Sequence, residues 1–387
     1  MGESPKITDP LAALENARVQ FEQAEDFTIA VEEEFAILEP GTLEMTPGFE
    51  RFDVAAREHP TLREMVAGEL IRSEVEVRTG KCGSFAEAAA AMAQRRADLL
   101  DLAGDLGYRL CAAGTHPYSR WEDQQVIDTP HYAIVESTLR YVAWRNNTFG
   151  LHVHVGINGA DRAIAVNSAL RSVLPELLAF SGSSPWLEGR HTHLHSTRTE
   201  IFTRMFPRCG VPDAYAGWPG YEEYVRFLYG TGSITEHTQI WWSVRPHLAF
   251  PTVEIRICDA QPDLEEARSL AALCYALTAR IARALDEGEP LPDFPHRLIE
   301  ENFWRATRYG LSGELIDLAS GDVRPARAHL ERLIEWIAPV AEELGAEQYL
   351  AVPAANSAER QIAQHADGAT MKEIYAGLVR RGEPVRG

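Results

Sequence analysis

Four short stretches of the chain alternate between apolar and polar residues, and in a strand such alternation puts residues of equal parity on one face. In Phe27–Leu38 (FTIAVEEEFAIL), Phe27, Ile29, Val31, Phe35 and Ile37 share one face, and Thr28, Ala30, Glu32, Glu34 and Ala36 the other. Glu33 points with the apolar set, in the wall or at an edge. In Leu70–Arg78, Ile71, Val75 and Val77 oppose Arg72, Glu74, Glu76 and Arg78, with Glu69 a tight bend away. In Leu151–Ile157, Leu151, Val153, Val155 and Ile157 oppose His152, His154 and Gly156. In Thr252–Cys258, Val253, Ile255 and Ile257 oppose Thr252, Glu254, Arg256 and Cys258.

Between the strands lie amphipathic helical patterns: Phe85–Gly107, begun by Ser84 as N-cap, Arg162–Gly182 and Leu264–Glu287. The last hundred residues are helix-dominated, with Ala326–Leu344 the clearest case, and Phe206–Gly220, rich in Pro and Gly, predicts a loop and a candidate lid. One apolar face per strand and irregular alternation with helices predict an α+β fold, with a largely antiparallel sheet covered by helices on one side. The expected organisation is a single catalytic domain over residues 1–387, with residues 1–25 an irregular N-terminal segment and residues 264–387 a mainly helical C-terminal part.

If the four strands share a sheet, one surface gathers Glu32, Glu34, Glu76, His152, His154, Glu254 and Arg256. Carboxylates at close range repel, so such a cluster calls for cations. A donor set of mostly oxygen with some imidazole favours Mg²⁺ or Mn²⁺ over zinc. Each motif alone has an ordinary explanation: a solvated ExE face, a satisfied HxH pair, a structural ExR ion pair. Four strands with the same polarity are harder to explain that way.

The formal net charge of −20 makes nucleic acid and anionic membrane surfaces poor partners. No window is expected to reach the roughly 18 apolar residues of a spanning helix, and Met1–Glu25 lacks a basic region followed by an apolar core. The five cysteines are scattered without CxxC, which reads as reduced thiols in a cytoplasmic protein. With 45% apolar and 24% charged residues the chain can bury a core. Neither GxxxxGK[ST] nor a GxGxxG opening a helix is present, so phosphates would have to be held by metal and arginine. GxSxG and HExxH are absent too. Arg198 could grip a carboxylate or phosphate with two parallel hydrogen bonds, and Arg245 could contact phosphate. Trp241 and Trp242 read as core. Gly150 and Gly156 would permit close approach to the HxH strand.

With these residues in place, the chain resembles the carboxylate–amine ligases of the YbdK type, also called glutamate–cysteine ligase type 2 and related to glutamine synthetase. The stretches that carry the resemblance are VEEEF (31–35), VEVRTG (75–80), GLHVHVGI (150–157), SSPWLEGR (183–190), WWSVRP (241–246), TVEIRICDA (252–260) and AERQ (358–361). They stand in family order across nearly the whole chain. The resemblance implies a glutamine-synthetase-like fold, a curved sheet whose concave face holds ATP and two or three Mg²⁺ or Mn²⁺ ions. It implies Glu32, Glu34, Glu69, Glu76, His152 and Glu254 as metal ligands and His154, Arg245 and Arg256 as phosphate contacts. Arg198 is implied as a contact to the substrate carboxylate or acyl phosphate, so that Arg256, Arg198 and Arg245 form the catalytic set. The implied reaction joins a glutamate-like carboxylate to an amine through an acyl phosphate, in a homodimer or larger homo-oligomer.

Departures from the family pattern stand at Glu74, Arg78 and Ser243 and across Thr192–Arg198, where His191, His193 and His195 would shape the amine pocket or lie on a surface loop. Two other readings of the same residues are a metal-dependent hydrolase working through His152, His154 and the glutamates, and a nucleotide-binding relative without catalysis. ATP dependence separates the first from the ligase; turnover separates the second.

Overall fold

The computed structural model describes residues 10–382. At its centre is a seven-stranded sheet made of β1 (Ile29–Leu38), β2 (Val66–Ala67), β3 (Glu74–Arg78), β4 (Arg109–Cys111), β5 (Leu151–Gly156), β6 (Val244–His247) and β7 (Thr252–Ile255). The strand order is β6-β7-β5-β1-β3-β2, with β4 pairing the end of β1. Every pairing is antiparallel, as the α+β expectation required, and the sheet does not close on itself.

The register shows why the two faces differ. Glu32 lies opposite both Arg78 and His152, Glu34 opposite Glu76, Ala36 opposite Glu74, and Glu254 opposite both His154 and Arg245. Directly paired residues point the same way, so the polar side chains of five strands share one face. The other face, including Ile29, Val31, Phe35, Val75, Val77, Val153, Val155, Val253 and Ile255, is buried. It packs on the helices Phe85–Asp105 and Leu264–Asp286. Each fully buried Val or Ile there contributes roughly 1.5–3 kcal/mol. Ser84 caps the first of these helices by accepting from Glu87 N at 3.3 Å, and Asp263 caps the second.

Four expectations change. Pro10–Glu22 is a helix rather than irregular: Leu14, Ala17 and Phe21, at helical spacing, are buried, and Phe21 meets Trp218 with ring centroids 5.8 Å apart. Residues 1–9 lie outside the described residues. The strand expected from Leu70 starts only at Glu74, because the chain turns through Arg72 and Ser73 before joining the sheet. The 22-residue run Ala160–Ser181 is long and apolar enough to cross a membrane by length and composition, which the sequence reading missed. Asp161, Arg162, Arg171 and Glu176 interrupt it, and 72% of its most apolar window is buried inside the fold as core helix. Finally, the segment expected as a lid is partly tied down, since Cys209–Gly210 pairs in parallel with Trp241–Trp242. From residue 264 on the described chain is mainly helical, with one hairpin at Glu314–Ile316 and Val323–Pro325.

Candidate active site

The polar face of the sheet floors a cavity of about 300 Å³. Glu32 and Glu34 come from β1, Glu74, Glu76 and Arg78 from β3, His152 and His154 from β5, Arg245 and His247 from β6, and Glu254 from β7, with Arg256 just beyond its end. Glu69 reaches the cavity from the turn before β3, and Arg198 from the first turn of the helix Thr197–Met205. Every residue of the implied metal, phosphate and catalytic sets therefore lines one space. The roof comes from Tyr132 and Val135 on the helix Pro130–Leu139, from Phe202 and Phe206, and from Thr238, Trp241 and Phe250.

The two imidazoles are threaded between carboxylates. His152 places Nδ1 3.4 Å from Glu32 and Nε2 3.6 Å from Glu34. His154 Nε2 lies 3.4 Å from Glu32 and 3.9 Å from Glu254, while its Nδ1 is 3.1 Å from Thr252 Oγ1. These are long contacts, and both buried Nε2 atoms lack a hydrogen-bond partner. Two donor groups, Glu32–His152–Glu254 and Glu34–Glu76–His152, each bring their ligand atoms within 4.8 Å of one another, close enough to hold one metal ion. Glu69 lines the cavity but belongs to neither group.

Charge on this face is unevenly balanced. Glu254 is gripped by Arg245, whose Nε donates at 2.6 Å, and by Arg256. Burial would raise its pKa, but the two guanidinium groups and His154 hold it well below the usual carboxylate range. Burial likewise opposes ionisation of Glu32, yet His154 and His152 bring it well below normal. At the other end of the face the compensation falls short, although Arg78 Nε lies 3.5 Å from Glu76. Burial and the Glu34 charge push Glu69 up to about 8, and burial with neighbouring carboxylates raises Glu74 and Glu76 well above the usual range. Burial lowers His152, with Arg256 adding to it; in His154 the charges of Glu32 and Glu254 outweigh burial and raise it. Six carboxylates face this cavity, and those around Glu69, Glu74 and Glu76 are the ones without adequate cations.

Arg198 is held from behind. It donates to the carbonyls of Ile257 at 3.1 Å and Arg256 at 3.2 Å. A Cβ at Gly150 would run into its guanidinium and into His152 Nε2, so close approach favours glycine here. Gly156 is confined in the same way, by Thr28 and the Glu25 carbonyl. The turn carrying Arg198 is anchored by Asp259, fully buried, which accepts from Ser184 Oγ and Ser196 Oγ, both at 2.7 Å. Ser196 in turn caps the helix. Sequence reasoning missed Asp259, because nothing in local pattern distinguishes it. It also missed His247, although alternation from Arg245 along VRPH places it on the same face. Burial drives His247 down to about 3, and its ring sits 5.3 Å from that of His154. Trp242 is core as expected, whereas Trp241 lines the cavity.

The three new histidines do not shape this cavity. His191 and His193 sit ring to ring at 4.2 Å beside Trp186, and His195 approaches Glu359 at 3.8 Å; none of the three lines the cavity.

A second, more apolar chamber of about 450 Å³ adjoins the first. Ile29, Ala30, Met65 and Pro251 line it, and Glu32, Arg78, His154 and Phe250 border both spaces.

Residues 28–373 match the family described as glutamate-cysteine ligase family 2. A protein of Solibacter usitatus provisionally named glutamate–cysteine ligase 2 is 35% identical over 361 residues, covering 92% of this chain and 93% of the relative. One of Rubrobacter xylanophilus, provisionally named glutamate–cysteine ligase 2-3, is 38% identical over 360 residues, covering 92% and 97%. Among solved structures, a Francisella tularensis glutamate–cysteine ligase in complex with AMP superposes with a TM-score of 0.65 at 11% identity, over 94% of this chain and 90% of that one. A bifunctional glutathione synthetase from Pasteurella multocida gives 0.67 at 12% identity, over 96% of this chain and 54% of that one. At these identities the two structures bear on fold.

Proposed function

Since the chain belongs to glutamate–cysteine ligase family 2, we propose that it is an ATP-dependent ligase joining an amino-acid carboxylate to an amine through an acyl phosphate. The observation that carries the reading is the cavity floor, where carboxylates and two unpartnered imidazole nitrogens outnumber the cations the chain supplies.

The donor chemistry fits Mg²⁺ or Mn²⁺. Glu32, His152 and Glu254 would hold one ion and Glu34, Glu76 and His152 would face another, with Glu69 within reach as an outer ligand. Bound there, such ions neutralise phosphate charge and orient the phosphoryl group for transfer.

In the first step a carboxylate oxygen attacks the γ-phosphorus of ATP and ADP leaves. In the second an amine attacks the acyl carbon, releasing phosphate and a proton and leaving an amide. Arg245 and Arg256, anchored on Glu254, present fixed positive charge to the phosphates without reorganising during transfer. Arg256 Nε is buried without a partner and free to donate. The apolar chamber beside Glu32 and His154 suits a nucleoside, which would direct its phosphates along the polar face. The roof of Tyr132, Phe202 and Trp241 excludes water that would otherwise hydrolyse the acyl phosphate. With small-molecule substrates and ATP, the working setting is cytoplasmic.

Phosphate release from ATP and Mg²⁺ tests this, first with pooled amino acids and then with each alone. Release that needs one carboxylate donor and rises with one amine is expected. ATP-independent hydrolysis of an amide, or no release with any pool, would sink the reading.

A further inference from the structure

We propose that Glu74 receives the ammonium group of the amino-acid substrate, so that this residue makes the site select an amino acid over the corresponding plain carboxylic acid. The assignment rests on the ligase reading and adds the recognition element at one end of its cavity.

Position comes first. Along the polar face, Glu74 pairs with Ala36, one step beyond the Glu34–Glu76 pair. The apolar chamber opens at the other end of β1, around Ile29 and Ala30. A nucleoside placed there leaves the Glu74 end for the group that accepts the phosphoryl.

The side chain itself is the second point. Glu74 is 1% exposed and lines the cavity, yet its buried Oε2 has no hydrogen-bond partner. A buried carboxylate left unpaired is costly, so the free chain meets that cost with a proton and an incoming cation can take the proton's place. Two kinds of cation are available. Glu74 lies outside both donor groups compact enough to close on one metal ion, which leaves an organic cation.

The third point is Arg198, a buried guanidinium on the same cavity. Its nearest carboxylate, Asp259, is 3.9 Å away, and its buried Nε is unpartnered. Each of the two residues thus offers the cavity an unused polar atom, one of each charge. An α-amino acid presents an ammonium and a carboxylate on one carbon, which is the complement of that pair. A site built to hydrogen-bond a substrate group rejects the analogue that lacks it, because the protein group is then left unpaired.

The test compares phosphate release from ATP with two pools, the amino acids and the matching acids without the amino group (glutarate for glutamate, succinate for aspartate), with hydroxylamine added to both as a common amine acceptor so that the pools differ only in the carboxylate donor. It is run on the full-length chain, on Glu74→Gln and on Glu74→Asp, with Mn²⁺ affinity measured in parallel from the loss of the free-ion electron paramagnetic resonance signal. The unaltered chain is expected to use the amino-acid pool only. Glu74→Gln is expected to raise KM for the amino acid by about ten- to a hundredfold, as loss of a charged hydrogen bond does, while KM for ATP and Mn²⁺ affinity stay put. Glu74→Asp, which keeps the charge, is expected to retain the preference. Equal use of both pools by the unaltered chain overturns the assignment and leaves the ligase reading standing. An unchanged amino-acid KM in Glu74→Gln overturns it too, and weakened Mn²⁺ binding in that variant makes Glu74 a metal ligand instead. No release from either pool removes the ligase reading and this assignment together.

Discussion

Glu33 and its neighbours Glu32 and Glu34 sit on one strand and face opposite sides of the sheet. Glu33 is buried among helices, where the Arg96 guanidinium meets it directly; that same guanidinium also donates to the carbonyls of Gln261 at 3.0 Å and Pro262 at 3.3 Å. Its charge is answered within the chain. Glu32 and Glu34 face the cavity; Glu34 accepts from the Gly150 amide, but the ionisable groups nearest the two carboxylates are two histidines at 3.4–3.6 Å whose Nε2 atoms find no hydrogen bond. The apolar face closes its electrostatics and yields stability. The polar face leaves them open, and an open buried charge is where a ligand is needed.

The largest expected effect separates the two faces by function. Glu32→Gln should lower turnover by about a hundredfold or more, as expected when a ligand is lost from an ion that would neutralise the transferring phosphate. Thermal unfolding should show the fold intact. A variant that turns over normally would take Glu32 out of the site. Stability should respond the other way at its neighbour. Arg96→Met strands the Glu33 charge and should cost about 3–5 kcal/mol of unfolding free energy, and adding Glu33→Gln should restore much of it. Denaturant titration measures both, and no recovery in the double variant would contradict the idea that the pair answers its own charge.

The next effect concerns pH. Glu69, Glu74 and Glu76 have folded pKa values raised above their ordinary value, Glu69 to about 8. Between about 4.5 and 8 the folded chain therefore holds protons that the unfolded chain has released. Stability of the metal-free protein should fall as pH rises through that window, by about 1.4 kcal/mol per pH unit for each extra proton held. Glu32 and Glu254 are lowered, so their contribution is lost only on acidification below the window. Saturating Mg²⁺ should flatten the slope, as measured by melting temperature against pH with and without the ion. A flat profile in metal-free protein would mean that the polar face balances its own charge after all. Smallest is Gly150→Ala, whose Cβ presses on Arg198. The same Cβ lies 2.9 Å from His152 Nε2, so KM for the carboxylate substrate should rise about tenfold or less with a parallel loss of Mg²⁺ affinity, and steady-state kinetics at varied Mg²⁺ would show both.

Parity alone placed Glu32, Glu34, Glu76, His152, His154, Glu254 and Arg256 on one face, because β1, β3, β5 and β7 each carry one wholly apolar side, and the register of the sheet agrees. Glu69 sits on a turn where no period applies, and only family resemblance pointed to it. Arg198 reaches the cavity from a helix, and its anchor Asp259 lies 61 residues further along the chain (259 − 198). The Glu33–Arg96 pair is equally non-local. β2 and β4, at two and three residues, are too short to show a pattern. The roof residue Tyr132 belongs to a helix whose orientation is set by packing, its hydroxyl donating to the Gly68 carbonyl at 2.8 Å. What the sequence showed was what repeats along one strand; what it hid was what meets across the fold.

The most direct test of the central claim is a Mn²⁺ titration of the unaltered chain beside Glu32→Gln and Glu33→Gln, followed by the electron paramagnetic resonance of the free ion. The account predicts that the unaltered chain and Glu33→Gln bind Mn²⁺ alike and that Glu32→Gln loses a site or binds it at least about tenfold more weakly. Equal binding by all three, or none by the unaltered chain with ATP present, would contradict it.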